Sequence, residues 1–369
     1  MIEHALFVGL GSVGQRHLRN LRELLGTSVR VSAFRVRRES TELTDEMTAV
    51  PGGDVESAYG VEVHTSLESA LAEEPDIAVV ANPTSLHVPA ARAALEAGCD
   101  VMIEKPLSHT DAGVDGLATR ARQLGRIGLV AYQLRFHPCV KRLIDLVESA
   151  ELGFLYGAHV EVSEYLPGFH PYEDYRRMYA SRSDLGGGAT VTQIHEIDLI
   201  HRIFGRPERV WSVGGRLSEL DIDVEDSATS LLKYRRGDGL PFAVQLHQDF
   251  LGRPPRRMFS VWGSRGRAVM DLRSGSLDLV ATDGSTARLV ECSNYPRNQL
   301  FVDELAHFLD CVRTRRDPCV SLEEGAASLR LALALRAAQV SGELSVFESA
   351  DDDQERADMT GASGAEVPL

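Results

Sequence analysis

A glycine-rich turn directly after the first hydrophobic segment constrains the fold more than any other feature of the chain. The segment ALFV leads into G-L-G-S-V-G from residue 9, and a helical pattern begins near Gln15. Glycines at this spacing permit a tight turn and let backbone N–H groups approach a pyrophosphate at a helix N-terminus. We therefore expect a dinucleotide-binding site, whose residues in this turn are Gly9, Gly11, Ser12, Val13 and Gly14.

Short β-branched runs alternate with helical patterns over residues 1–130. The runs read ALFVGL, VRVSAF, DIAVVAN, DVMIEKP and RIGLVAY. Between them, QRHLRNLRELL and LHVPAARAALEAG have apolar residues at helical spacings. Such alternation predicts a parallel sheet wrapped by helices. We predict an α/β fold in which residues 1–130 form a dinucleotide-binding Rossmann domain with a doubly wound parallel sheet.

Longer strands with alternating polarity follow the first domain. They read GAHVEVSEYL, RVWSVGGRL, SATSLLKY, FAVQLHQDF, FSVWGSRGRAVMDL and LDLVAT, with helices near residues 140 and 195. This pattern predicts a C-terminal α+β domain over residues 131–348, built on an open, mainly antiparallel sheet. The segment LEEGAASLRLALALRAAQVSGE is rich in helix formers and is predicted to pack back on the body. Residues 349–369 lack apolar periodicity, and we expect a disordered acidic tail.

The composition argues against several classes of partner. The chain has 54 acidic and 39 basic residues and a formal net charge of -15, which disfavours nucleic acid and anionic membranes. No apolar window approaches the length of a membrane span, and the N-terminus lacks the basic region of a signal peptide. The cysteines form no CxxC pair, which fits reduced thiols better than disulfides or a zinc site. We expect a cytoplasmic protein.

The end of the second predicted strand bears on the choice of nucleotide. About 20 residues beyond the glycine turn, an NAD site usually has an acidic residue that accepts hydrogen bonds from the ribose hydroxyls. This chain has Arg35, Arg37 and Arg38 in that stretch. An arginine can pair with a 2′-phosphate, which favours NADP, whereas solvated loop arginines would leave the choice open. The expected cofactor is therefore NAD or NADP, with a slight preference for NADP.

A second motif, Glu104-Lys105-Pro106, ends a later strand at the sheet edge where open α/β folds bind ligands. Together with GLGSVGQRHLRNL, VVANPTSLHVPAARAALEAGCDVMIEKPLS and GGGATVTQIHEIDLIHRIFG, it resembles the glucose-fructose oxidoreductase, inositol dehydrogenase and MocA family, Gfo/Idh/MocA. The resemblance covers nearly all of residues 1–345. It implies an NAD(P)-dependent oxidoreductase that moves a hydride to or from a ring carbon of a sugar or cyclitol.

The resemblance assigns the reacting centre to Lys105 and His195. Lys105 would lie beside the nicotinamide and the substrate hydroxyl and help to move the hydroxyl proton. His195 would be the acid/base partner that contacts the substrate, with Asp198 supporting it from the same helix face. Residues implied to line the cofactor beyond the turn are Asn82, Pro83, His87, Glu104 and Lys105 itself.

The chain departs from the family at one position. Most members have an aspartate four residues before the histidine, where this chain has Val191, followed by Thr192. Thr192 could relay a proton but cannot act as the base, so the proton route is left open. The sequence HEIDLIH is not H-E-x-x-H, and its spacing turns His201 away from the face of His195. No metal site is predicted.

Two segments between the motifs, residues 132–138 and 165–176, concentrate aromatic and hydrogen-bonding side chains. Polyols need such groups, because ring hydroxyls donate and accept while apolar ring faces stack on aromatics. If Arg135 and Arg176 face the pocket, they favour an anionic substrate such as a sugar phosphate, nucleotide sugar or uronate. The candidate substrate-binding residues are Lys105, Arg135, Tyr165, His170, Tyr172, Tyr175, Arg176, Thr192, Gln193 and His195.

The sequence thus predicts a dehydrogenase or reductase that acts on a secondary alcohol or ketone carbon of a sugar, sugar derivative or cyclitol. Two alternatives stay open: a family reductase of a non-sugar carbonyl, and a catalytically silent dinucleotide-binding regulatory protein. The missing aspartate favours the silent protein, whereas Lys105 and His195 oppose it. The resemblance also implies a homodimer or homotetramer formed through the second-domain sheet.

Overall fold

A computed structural model describes residues 2–36, 41–44, 48–170 and 172–346 of the chain. Arg37, Arg38 and the segment 349–369, for which disorder was predicted, lie outside the described residues. Within those residues, no helix combines the length and the apolar character needed to cross a membrane.

The first sheet is parallel and follows the order β5-β2-β1-β6-β7-β8. Its strands are β1 His4–Val8, β2 Arg30–Phe34, β5 Val61–His64, β6 Ile77–Val80, β7 Asp100–Glu104 and β8 Gly128–Ala131. A short ribbon pairs β3 Thr41–Leu43 with β4 Ala49–Asp54. The helices of this half are α1 Ser12–Leu25, α2 Val55–Tyr59, α3 Leu67–Leu71, α4 His87–Glu96 and α5 Val114–Gln123. The central strands are fully buried, as expected for a sheet covered on both faces.

The second sheet has the order β16-β15-β14-β13-β9-β12-β11-β10-β17, and only β9 and β12 pair in parallel. Its strands are β9 Leu155–Ser163, β10 Arg209–Gly215, β11 Ser227–Arg235, β12 Pro241–Asp249, β13 Arg256–Gly263, β14 Gly266–Asp271, β15 Ser276–Ala281, β16 Thr286–Glu291 and β17 Ser345–Val346. The remaining helices are α6 Pro138–Glu148, α7 Ala189–Thr192, α8 Ile194–Phe204, α9 Arg297–Thr314 and α10 Leu322–Ser341. The predicted fold class is confirmed.

The two faces of the second sheet differ in cover. Val160, Val244 and Leu246 are buried on the face that packs into the main core together with residues of α8 and α10. On the opposite face Trp211 and Leu231, cross-strand neighbours in β10 and β11, remain exposed. Among the described residues, none covers the part of this face around Trp211 and Leu231, which we call the uncovered face.

Helix α9 packs onto the nucleotide half. Its buried residues Leu305 and Phe308 join the core beneath the first sheet. The ring of Phe301 lies 5.9 Å from that of His17 on α1, and the Arg16 guanidinium lies 4.9 Å from the same ring. This helix was not predicted, and it packs against α1 of the nucleotide half.

Candidate active site

The glycine turn has the geometry that a pyrophosphate requires. Gly9 has φ +101°, and a Cβ there would lie 2.7 Å from the Ala81 oxygen. A Cβ on Gly14 would lie 2.4 Å from the Gly9 oxygen, whereas one on Gly11 would have no described heavy atom within 4 Å. Helix α1 begins at Ser12 without a side-chain cap and without an acidic residue in its first turn. Its N–H groups and positive dipole end are therefore available to an anion, and the turn fits a dinucleotide.

His87 ties two loops together at the edge of the first sheet. Its Nε2 lies 2.8 Å from the Asn82 carbonyl oxygen, and its Nδ1 lies 2.8 Å from the Pro106 carbonyl oxygen. Burial lowers the pKa of His87, so the neutral ring donates to one of these oxygens at a time. Both ring nitrogens are thus occupied by backbone, and His87 positions the loop of Asn82 and Pro83 instead of presenting a nitrogen to the cofactor.

Glu104 is held by a histidine that sequence analysis did not identify. Its Oε1 lies 2.7 Å from Nε2 of His17, and both side chains are buried. Burial alone would raise the pKa of Glu104, but the His17 hydrogen bond and the charges of His17 and Lys105 outweigh it and lower the pKa. A fixed negative charge therefore stands next to Lys105 in the chain.

The Lys105 side chain spans the cleft between the two halves. Its Nζ donates a hydrogen bond of 3.0 Å to the backbone oxygen of Thr192, at the end of α7. An ammonium group has further N–H donors, which remain available to a substrate oxygen. This contact brings together the strand-end lysine and the helix pair that carries His195.

His195 is a buried, neutral histidine. Burial, followed by the positive charge of Lys105, lowers its pKa well below the ordinary value. Its ring packs edge-on against Tyr132 with centroids 5.7 Å apart, and its Nδ1 has no hydrogen-bond partner among the described residues. Val191 is fully buried in the main core, and the Thr192 hydroxyl likewise lacks a partner within the described chain. An uncharged imidazole and an unsatisfied hydroxyl therefore lie beside Lys105.

Asp198 does not support His195, contrary to expectation. Its carboxylate accepts hydrogen bonds from Arg135 at 2.7 and 2.8 Å and from the Ser328 hydroxyl at 2.9 Å. Arg135 also contacts Glu324 at 3.1 Å. Burial opposes the charge of Arg135, but Asp198 and Glu324 raise its pKa. The guanidinium is committed to this internal network, so the assignment of Arg135 to the substrate pocket needs correction.

The 165–176 segment divides between two environments. Burial raises the pKa of Tyr172 to about 12, while a hydrogen bond with Ser12 acts in the opposite direction. Tyr172 therefore lies over the glycine turn, with His170 stacked on it at 5.3 Å. The Tyr165 ring is covered by the Arg253 guanidinium at 4.0 Å. Tyr172 and His170 therefore lie near the nucleotide turn, whereas the sequence analysis predicted that they contact the sugar.

The remaining substrate-pocket candidates are Tyr175, Arg176 and Gln193, and the first two have other partners. Tyr175 packs against a small apolar cluster that is separate from the main core and includes Leu166 and Phe250. Arg176 is exposed and forms an ion pair of 2.6 Å with Asp174. Its charge is therefore paired within the protein, and no anionic ligand is needed to balance it. Gln193 is buried and donates to the Asp249 carbonyl oxygen at 2.8 Å, while its own Oε1 has no partner among the described residues. Arg176 is therefore a surface residue, and only the amide oxygen of Gln193 is available.

The structure adds residues to the site that the sequence did not reveal. Glu304, on α9, is completely buried, and neither of its oxygens has a partner in the described part of the chain. Burial first, and then the charges of Glu104 and Asp198, raise its pKa well above the ordinary value. No motif marks such isolated polar positions within apolar or strand segments. The added residues are His17, which contacts Glu104, and the buried Glu304.

Arg35, the described arginine near the predicted ribose site, forms an ion pair with Glu56 of α2. Its pKa is lowered by burial, with Asp54 acting in the opposite direction. Arg35 lies directly after β2, at the strand end where the ribose-binding residue of a Rossmann site is expected. A 2′-phosphate would have to compete with Glu56 for this guanidinium.

A cluster of thiols lies outside the site. The Sγ atoms of Cys139 and Cys292 are 3.6 Å apart, although 153 positions separate them. His137 joins this group, but its Nδ1 accepts a hydrogen bond of 3.1 Å from the Cys139 N–H and caps α6. Burial raises the pKa of Cys139 to about 12. A metal ion would need to deprotonate the Cys139 thiol, and the raised pKa of that thiol opposes this.

Comparisons with known proteins agree with this geometry. Residues 4–132 match the oxidoreductase family with an NAD-binding Rossmann fold, and residues 140–269 match the GFO/IDH/MocA C-terminal domain. Myo-inositol 2-dehydrogenase of Thermotoga maritima is 25% identical over 338 residues, which cover 89% of this chain and 94% of that protein. Trans-1,2-dihydrobenzene-1,2-diol dehydrogenase of Bos taurus is 30% identical over 221 residues, covering 59% and 60% of the two chains.

The fold is shared with solved structures. The WlbA dehydrogenase from Bordetella pertussis, in complex with NADH and UDP-GlcNAcA, superposes with a TM-score of 0.76 at 20% identity. The match covers 95% of this chain and 100% of that chain. The protein therefore belongs to the Gfo/Idh/MocA family and is an NAD(P)-dependent oxidoreductase that acts on CH–OH groups.

Proposed function

We propose that this enzyme transfers a hydride between the nicotinamide and a secondary alcohol or ketone carbon of a sugar, sugar derivative or cyclitol. The observation that carries this proposal is the 3.0 Å contact between Lys105 Nζ and the Thr192 oxygen, beside the buried His195. It supports the proposal because the nicotinamide of a Rossmann enzyme is expected near this sheet edge, where the lysine and the neutral imidazole would both be within reach. The relatedness to an inositol dehydrogenase supports the substrate class.

In the oxidative direction the substrate loses a hydride from carbon and a proton from its hydroxyl group. The bound nicotinamide supplies the hydride acceptor. Lys105 uses its remaining N–H donors to orient the hydroxyl oxygen and to stabilise the negative charge that develops there. His195 is neutral, so its free ring nitrogen accepts the hydroxyl proton. In the reductive direction the protonated His195 returns the proton to the oxygen that Lys105 orients, as the ketone receives the hydride.

Thr192 replaces the usual aspartate in the proposed proton route. Its Oγ1 is buried and without a partner in the described chain, and its backbone oxygen already receives the Lys105 hydrogen bond. A hydroxyl both donates and accepts, so it can pass a proton between His195 and a water molecule without becoming charged. His195 thus acts as the base, and Thr192 acts as a relay.

The cofactor site is proposed to extend from the glycine turn along the edge of the first sheet. Asn82 and Lys105 would face the nicotinamide half, with His87 and Glu104 holding them in place. Tyr172 would cover the pyrophosphate from the second half, because it already interacts with Ser12. At the ribose, Arg35 favours NADP if a 2′-phosphate displaces Glu56.

A sugar and cyclitol panel, assayed by nicotinamide absorbance, tests the proposed function. Turnover of at least one polyol is expected, and Lys105→Ala should lower kcat by about 10²–10³-fold, the usual cost of removing a donor that stabilises a developing oxyanion. Lys141→Ala removes an exposed lysine on α6 and serves as the matched control. Turnover confined to dihydrodiols, or to carbonyl compounds that are not sugars, would instead support the alternative suggested by the bovine relative.

We also propose that the enzyme is a homodimer or homotetramer formed through the uncovered face of the second sheet. Trp211 is 41% exposed, Val213 52% and Leu231 47%, and all three lie on neighbouring strands. Adjacent apolar side chains of this size on one sheet face favour a protein partner. A second copy of the chain would bury them against the same residues by symmetry.

A further inference from the structure

Two thiols that are distant in sequence meet between α6 and the edge of the second sheet. Cys139 lies in the first turn of α6, and Cys292 directly follows β16, the edge strand of that sheet. Their Sγ atoms are 3.6 Å apart. Because an S–S bond is about 2.05 Å long, the two sulfur atoms are about 1.5 Å beyond bonding distance. No other two cysteines share a hydrogen bond in the described part of the chain.

The backbone is anchored on both sides of this contact. The Cys139 N–H donates to Nδ1 of His137 at 3.1 Å, at the start of α6. The Cys292 N–H donates to the Gly275 carbonyl oxygen at 2.8 Å, and the Cys292 carbonyl oxygen accepts from the Tyr295 N–H at 2.9 Å. The sulfur atoms therefore face each other from two fixed segments, and side-chain rotation can close the remaining distance.

The hydrogen bonds of the reduced pair have a direction. Cys292 Sγ lies 3.1 Å from the Gly275 carbonyl oxygen and donates its hydrogen there. The Cys139 thiol therefore donates to Cys292 Sγ, which accepts through a sulfur lone pair. The sulfur of Cys139 thus already contacts the atom to which a disulfide would join it.

The two thiols differ in their access to solvent. Cys139 is completely buried, whereas Cys292 is half-buried. An oxidant in solution therefore reaches Cys292 first, because thiol oxidation follows exposure. The buried Cys139 is in contact with the oxidised sulfur and can react with it before another thiol does.

We propose that Cys139 and Cys292 form a reversible disulfide when the protein meets a peroxide, a modification site separate from the proposed function. The peroxide transfers one oxygen atom to Cys292, which becomes a sulfenic acid, and one water leaves. Cys139 Sγ then attacks Cys292 Sγ, and the Cys139 proton leaves with the hydroxyl group as a second water. Two thiols and one peroxide thus give one disulfide and two waters, and a thiol reductant reverses the change. The bond would tie α6 to β16.

Peptide mapping of the wild-type protein tests the site directly. Hydrogen peroxide is added until the exposed Cys319 is oxidised, the remaining thiols are alkylated, and the peptides are identified by mass spectrometry. A cross-link between Cys139 and Cys292 of the same chain is expected, and dithiothreitol should remove it. Oxidised Cys319 without this cross-link, or equal cross-linking among the other cysteines, would overturn the proposal.

Trapping of the intermediate tests the order of the two steps. Cys139→Ala removes the attacking thiol, so dimedone should label Cys292 at least about tenfold more in this variant than in the wild type, where the neighbouring thiol consumes the sulfenic acid. Cys311→Ala is the matched control, because Cys311 is buried and contacts His307 instead of a second cysteine. It should form the cross-link as the wild type does. Equal labelling of Cys292 in all three proteins would contradict the proposal, and the wild-type mapping stands by itself if Cys139→Ala does not fold.

Discussion

Lys105 and Thr192 are joined by a 3.0 Å hydrogen bond from the ammonium group to a backbone carbonyl, across the cleft between the two halves of the molecule. The acceptor is backbone, so it is present whatever side chain occupies position 192. The lysine can thus be held at the reacting centre although Val191 occupies the position where the resemblance expects an aspartate. The position of the lysine and the identity of the proton acceptor are therefore separate questions in this enzyme.

Stability at acidic pH should depend on His195. Its folded-state pKa is lowered by burial and by Lys105, so below pH about 6.5 the unfolded chain binds a proton that the native ring does not. The free energy of unfolding should therefore fall with decreasing pH, by at most about 1.4 kcal/mol per pH unit from this group. His195→Gln should remove that part of the slope, as measured by urea denaturation. Parallel curves for the two proteins would contradict the assignment of a buried neutral ring.

Glu304 should have the opposite effect on the pH dependence. Its pKa is raised by burial and by Glu104, so the native carboxyl keeps a proton that the unfolded chain releases as the pH rises above about 4.5. The free energy of unfolding should fall with increasing pH until the folded pKa is passed. Glu304→Gln should be tolerated and should become more stable than the wild type as the pH rises. Glu343→Gln, at an exposed position, is the control, and no difference between Glu304→Gln and the wild type across pH would refute a protonated Glu304.

Nucleotide choice should respond to the Arg35–Glu56 pair. Arg35→Gln is expected to lower the ratio of kcat/KM for NADPH over NADH by about tenfold, because a 2′-phosphate loses a charge-assisted partner. Glu56→Gln should raise the same ratio, since it releases the guanidinium. Steady-state kinetics with both nucleotides provide the measurement. An unchanged ratio in both variants would mean that Arg35 takes no part in the choice.

Assembly through the second sheet should fail when its uncovered face is charged. Leu231→Arg places a cation beside Trp211, its cross-strand neighbour, and should shift the protein towards the monomer. Leu217→Arg alters a leucine that is 67% exposed but lies outside the strands, which makes it a matched control. Light scattering after gel filtration reports the mass of each variant. An unchanged mass for Leu231→Arg would exclude this face as the interface.

The sequence was sufficient to predict both sheets, because the strands of each sheet have a clear pattern of apolar residues. Parallel strands such as Ile77–Val80 are continuous apolar runs, and Pro241–Asp249 alternates. The strand Val61–His64 and helix α9 were missed. The strand is short and partly polar. The apolar face of α9 is interrupted by residues such as Glu304, whose burial depends on contacts that only the folded chain provides.

The candidate site was predictable where motifs are local and not where side chains meet from distant elements. The glycine turn and Lys105 could be predicted because each belongs to a short motif at the end of a predicted strand. By contrast, Arg135 looked like a pocket residue until the fold paired it with Asp198 and Glu324. Glu304 carried no signal, because nothing in its neighbourhood in sequence indicates that α9 buries it near Glu104 and Asp198. The tertiary structure determines which arginines form ion pairs within the protein, and the sequence alone does not show these pairs.

The most direct test of the central claim follows the hydride itself. A sugar or cyclitol that is turned over is deuterated at the reacting carbon, and the mass of the reduced nicotinamide is measured in the wild type and in Lys105→Ala. The account predicts one deuterium per reduced nucleotide in the wild type, and strongly reduced transfer in the variant with NADH binding retained. Reduced nucleotide without deuterium, or undiminished transfer in Lys105→Ala, would contradict it.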